Sequence, residues 1–99
     1  MRNYEIVWII KGNSEATSEK LIDNVKNAID QNGGSVHDVE SIGKRSLAYP
    51  IKNHKEGIYF CAKFQMDQNK AIDLESSISL DQDIIRYLIV KLKDKVKLD

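Results

Sequence analysis

Cysteine occurs once in this 99-residue chain, at Cys61, and proline once, at Pro50. A lone cysteine excludes an internal disulfide and suits a reducing compartment. No apolar run approaches the ~20 residues needed to cross a bilayer. Neither sign of charge prevails, with 15 basic against 15 acidic residues. A zero balance argues neither for nor against nucleic acid; spatial clustering of the cations decides that. Glycine-rich phosphate loops, CxxC or HxxxH spacings and paired carboxylates are all missing, so a metal site or nucleotide fold has little support.

Hydrophobic residues reach 41% and charged residues 30%, too apolar for a disordered chain. The length predicts one domain over residues 1–99 with a modest core, its tail 93–99 frayed. Arg2 and Glu5 bracket the start, and Ile6 to Ile10 is too short for a secretory signal. The expectation is a cytosolic protein or one from an organelle of bacterial descent.

Asn3 to Ile10 is rich in β-branched and aromatic residues and predicts a strand, with Tyr4, Ile6, Trp8 and Ile10 on one face. Both faces are partly apolar, as expected well inside a sheet. Ser14 is a candidate N-cap for a helix whose stripe is Leu21, Ile22, Val25, Ala28 and Ile29. Asn32-Gly33-Gly34 stops it. Ser35 to Ile51 predicts a second strand with a bulge near Gly43. Pro50, which cannot donate a ladder hydrogen bond, places that strand's end at a sheet edge or outside the sheet. Residues 52–57 form a polar loop and Ile58 to Met66 a third strand. Asp67 is a candidate cap for a second helix carrying Ala71, Leu74 and Ile78, and Ile84 to Leu92 is a fourth strand.

The order strand, helix, strand, strand, helix, strand is that of two split βαβ units. It predicts an α+β, ferredoxin-like βαββαβ domain: a four-stranded antiparallel sheet with two helices on one face. Such a fold hosts many functions, so function must come from residues on the free sheet face. Catalysis lacks its constellation: His37, His54 and Cys61 fall in separate segments with no base and orienting group around a nucleophile. Lys11-Gly12-Asn13-Ser14 does not resemble the arginine-bearing anion loop of small acylphosphatases. Glu56 to Lys63 matches the third-strand signature of RNA recognition motifs poorly. A regulatory, dimeric ligand-binding module of the same fold is the main competing reading.

The cations are dispersed in sequence. Arg2 opens the first strand, Lys44 and Arg45 lie in the second, Lys52, His54 and Lys55 follow, and Arg86 and Lys91 lie in the fourth. A central first strand allows several of them to share one side, where they would contact phosphates while tyrosine stacks on an unpaired base. Against this stands a merely solvated charged surface. Among the aromatics, Trp8, Phe60 and Phe64 suit a core; Tyr49 beside Pro50 is ambiguous.

Four segments point to one family: the opening Met1-Arg2-Asn3-Tyr4-Glu5-Ile6, the run Gly43-Lys44-Arg45-Ser46-Leu47-Ala48-Tyr49-Pro50-Ile51, Gly57-Ile58-Tyr59, and Ile84-Ile85-Arg86-Tyr87-Leu88. Taken in order, they make the chain resemble bacterial small-subunit ribosomal protein six from end to end. The resemblance implies a ferredoxin-like structural constituent of the small ribosomal subunit, without catalytic activity or cofactor. It implies binding to the central domain of small-subunit ribosomal RNA together with small-subunit ribosomal protein eighteen. RNA contact carries over to Arg2, Lys44, Arg45 and Arg86, and secondarily to Tyr4, Tyr49, Lys52 and His54. Ser46 stands where a base is common in the family, which removes one phosphate contact, and the chain ends soon after the fourth strand.

Overall fold

The computed structural model describes residues 2–12, 18–51 and 54–92. The expected cap at Ser14, the expected contact at Lys52 and the tail 93–99 lie outside the described residues. The elements run β1 (Arg2–Lys11), α1 (Ser18–Gln31), β2 (Ser35–Ile51), β3 (His54–Met66), α2 (Gln68–Ser79) and β4 (Ile84–Lys91). Their sheet order is β2-β3-β1-β4, with every pairing antiparallel. This is the ferredoxin-like arrangement, with β1 central as its two-sided apolarity requires.

Alternation along β1 sends Tyr4, Ile6, Trp8 and Ile10 into the core, where they meet Phe60, Ala62, Phe64 and Met66 of β3. Leu21, Val25 and Ile29 of α1 and Leu74 and Ile78 of α2 cover that layer. Tyr4 lies opposite Phe64 and Trp8 opposite Phe60 in the ladder. Both pairs stack, with ring centroids 5.5 and 5.4 Å apart. Such cross-strand aromatic pairs add stabilisation beyond their buried area. Among the described residues, the Trp8 indole Nε1 is buried without a hydrogen-bond partner.

Gly33, at φ +81°, closes α1: its N–H donates to the Asp30 carbonyl at 3.0 Å, and the Gly34 N–H to that of Ile29 at 2.8 Å. These bonds satisfy carbonyls that the helix end leaves open. The bulge expected near Gly43 is present: register shifts between Ser41 and Gly43, and Gly43 has φ +105°. β2 is an edge strand, consistent with Pro50. At α2, Asp67 occupies the N-cap with extended backbone but makes no side-chain capping bond. One expectation needs correction. Residues 54–57 are strand, not loop, because β3 begins at His54, opposite Ile51, and runs past the end of β1 at Gly57. Cross-strand bonding to β2 overrides their polar composition.

Candidate nucleic-acid interface

The helices cover one face of the sheet; the other is bare of helices, and among the described residues only the Leu47–Ile51 segment lies over it beside the buried Ile9. Pairing register assigns its rows: Asp38, Lys63, Glu5 and Val90; then Glu40, Cys61, Val7 and Leu88; then Tyr59, Ile9 and Arg86; last Arg45, Gly57 and Lys11. Asp38, Glu5 and Glu40 gather toward one end around Lys63, apolar side chains hold the middle, and Arg45, Arg86 and Lys11 the other end, where Lys11 is ion-paired with Asp83 at 3.3 Å. Zero net charge therefore conceals a partly segregated surface. Leu88 is 61% exposed and Val90 42%, which leaves apolar area open to solvent.

Two concavities meet at the cationic end. A groove of about 380 Å³ on the bare face is lined by Val7, Ile9, Tyr59 and Leu88, with Arg86 at its rim. A wider cleft of about 790 Å³ carries Lys44, His54, Lys55 and Glu56 beside Gly12. Leu47, Ala48 and Tyr49 line both. Tyr49 is exposed, and its hydroxyl accepts a hydrogen bond from Arg86 Nη1 at 3.3 Å. Gly57 makes room for this arrangement: a Cβ there would collide with Ile9 Cγ2.

The expected contact residues divide. Lys44, Tyr49 and His54 line the cleft, and Tyr49 joins it to Arg86. Lys44 forms an exposed ion pair with Glu56 at 3.7 Å, which tempers its charge. Arg45 faces the bare side opposite Gly57, with Nη2 3.5 Å from the Ile42 carbonyl. Arg2 is exposed but lies opposite Met66, at the far end of β1. At about 3.3 Å per residue it stands roughly 23 Å from the row of Arg86. Tyr4 is only 5% exposed and stacked on Phe64, so its ring has no face to offer a base. The RNA contact expected at Tyr4 gives way to a core role, because Tyr4, Ile6, Trp8 and Ile10 of β1 point toward the helices.

Lys55 is among the cations noted in the sequence but not among the carried-over contacts, and the apolar groove does not stand out in the sequence. The available signal is the paired apolarity of Val7 and Ile9 on the face opposite the core. Chemistry elsewhere is sparse. Among the described residues no group of three His, Cys, Asp or Glu side chains could hold a metal. Cys61 is half-buried on the bare face, and its thiol is pushed up to about 11 by burial and by the Glu5 carboxylate it hydrogen-bonds. Tyr87 donates to Glu75 at 3.3 Å, and burial together with that carboxylate raises its phenol above the ordinary value.

The model of the family described as ribosomal protein S6 matches residues 3–91. The chain belongs to the ribosomal protein S6 family. Among the S6 relatives, small ribosomal subunit protein bS6 of Natranaerobius thermophilus is 37% identical over 95 residues, covering 95% of this chain and 99% of the relative. Its counterpart from Fusobacterium nucleatum is 36% identical over 92 residues, covering 92% and 98%. The crystal structure of 30S ribosomal protein S6 from Thermotoga maritima superposes with a TM-score of 0.84 at 33% identity, covering 92% of this chain and 87% of that one. The fold and family expected from the sequence thus hold, and the S6 relatives are proteins of the small ribosomal subunit.

Proposed function

We propose that this S6-family chain is a non-enzymatic, single-domain constituent of the small ribosomal subunit in the cytoplasm. It binds the central domain of small-subunit ribosomal RNA together with small-subunit ribosomal protein eighteen, supporting subunit assembly and translation. The observation that carries this reading is the adjacency of two unlike surfaces. A cleft with Lys44, His54 and Lys55 borders an apolar groove with Val7, Ile9 and Leu88, and Tyr49 belongs to both. The cationic end, with Arg45 and Arg86, suits phosphates; the apolar rows suit a protein partner. Arginine forks two bonds to a phosphate, and folded RNA is read by backbone and shape. Arg2 supports a separate, distal contact.

With no excess of positive charge, RNA binding by the isolated chain is weak and the partner strengthens it by enlarging the joint surface. The test is binding to a central-domain RNA fragment, with and without protein eighteen, at two salt concentrations. Salt-sensitive binding that tightens with the partner and weakens in Arg45→Ala is expected. Absence of binding in every condition refutes the proposal. A stable dimer in sedimentation, with no RNA binding, would favour the ligand-binding module instead.

A further inference from the structure

We infer that Leu47–Ile51 is a strap over the bare sheet face, pinned by the Tyr49–Arg86 hydrogen bond and released when an anionic ligand takes Arg86. That the natural anion is RNA phosphate rests on the proposed function; the strap itself does not.

The backbone of this segment has left the ladder. β2 pairs with β3 as far as Ser46 opposite Glu56, and pairing resumes only at Ile51 opposite His54. Pro50, between them, has no N–H to donate. The side chains of this segment then reach over the sheet. Tyr49 belongs to β2, on one edge, and Arg86 to β4, on the other, with β3 and β1 between. Leu47 is drawn over Gly57, where a Cβ would lie 3.6 Å from Leu47 Cδ2. The same segment lines the groove over Val7, Ile9 and Leu88.

The pin is weak. Its 3.3 Å length is long for a hydrogen bond, and the pair is exposed to water. A phosphate outcompetes a phenolic hydroxyl for a guanidinium, because it accepts two charge-assisted bonds at once. Loss of the pin leaves Tyr49, already 61% exposed, with little to hold it. The groove then opens to an apolar partner. The effect is reciprocal: a partner that displaces the strap frees Arg86 for phosphate, so each ligand favours the other.

Methyl-resolved NMR on the full chain tests this. Nuclear Overhauser contacts are expected between the Tyr49 ring and the Leu88 methyls. Tyr49→Phe, which keeps the ring and deletes the acceptor, should weaken contacts at position 49 and shift the Val7, Ile9 and Leu88 methyls. Core signals of Leu21 and Ile29 should stay in place, which separates strap release from unfolding. Inorganic phosphate, titrated against chloride at constant ionic strength, and a central-domain RNA fragment should shift the groove methyls in the same direction. The strap is overturned if Tyr49→Phe leaves the groove methyls unmoved, or if neither phosphate nor bound RNA moves them. RNA that binds while the Tyr49–Leu88 contacts persist sinks the strap and keeps the function. Phosphate that releases the strap while RNA fails to bind keeps the strap and sinks the function.

Discussion

The thiol of Cys61 donates a hydrogen bond to Glu5 Oε2 at 2.9 Å, joining two neighbouring strands on the bare face of the sheet. Glu40 lies directly opposite Cys61 on β2 and adds a second negative charge. Burial acts first, and the carboxylates reinforce it, so the protonated thiol is favoured up to about pH 11.

This makes Cys61 a slow nucleophile. The iodoacetamide rate of the native chain should climb with pH toward a midpoint near 11, well above an ordinary cysteine. Glu5→Gln should lower that midpoint and speed alkylation at pH 8–9. The linked stability has a definite sign. The native state holds its proton more tightly than the unfolded chain. This contribution is therefore intact below the ordinary thiol value, roughly 8.5, and is lost as pH rises toward 11. Denaturant titrations at pH 8 and pH 10.5 check it.

Gly57 is required for steric reasons. Gly57→Ala places a methyl against Ile9 Cγ2 within a well-filled sheet. Overpacking of this kind costs about 1–3 kcal/mol, read as a lower midpoint in chemical denaturation. Adding Ile9→Ala removes the colliding group, so the double variant should be more stable than the two single losses predict.

Tyr4 separates core from contact. Tyr4→Ala should cost about 3–5 kcal/mol, in the range for deleting a buried aromatic ring. Tyr4→Phe preserves the stack on Phe64 and should leave RNA affinity unchanged. A large affinity loss in a folded Tyr4→Phe would place its hydroxyl at the RNA after all.

Under the proposed function, Arg45 is expected to carry the salt dependence of RNA binding. Its side chain is exposed at the cationic end of the bare face. Arg45→Ala should cost about 1.5–3 kcal/mol of RNA affinity, the scale of one charge-assisted bond. It should also flatten the slope of log affinity against log salt by about 0.7–0.9 for each phosphate that is no longer neutralised. Equal losses at low and high salt would instead indicate a packing role.

Much of this protein is legible residue by residue. Tyr4, Ile6, Trp8 and Ile10 of β1 read as a core face because strand side chains alternate, and all four are buried. Gly33 and Gly43 read as a helix stop and a bulge because few other residues tolerate positive φ, and both adopt it. Residues 54–57 read as loop but form strand, because their polarity is local whereas pairing with β2 is a long-range gain.

The candidate site is legible only in part. Arg45, Arg86, Lys44 and Tyr49 stand out as residue types, but sequence distance hides which of them meet. Arg2 and Arg86 fall on opposite ends of the sheet because β1 and β4 run antiparallel. Sequence alone determined the element order, the core face and the family, since these follow from periodicity, turn chemistry and ordered motifs. Tertiary structure alone decided that Tyr49 reaches Arg86 across two intervening strands. Local periodicity reports which way a side chain points, but only the assembled sheet sets Tyr49 and Arg86 on the same face, where two long side chains can meet over the strands between them.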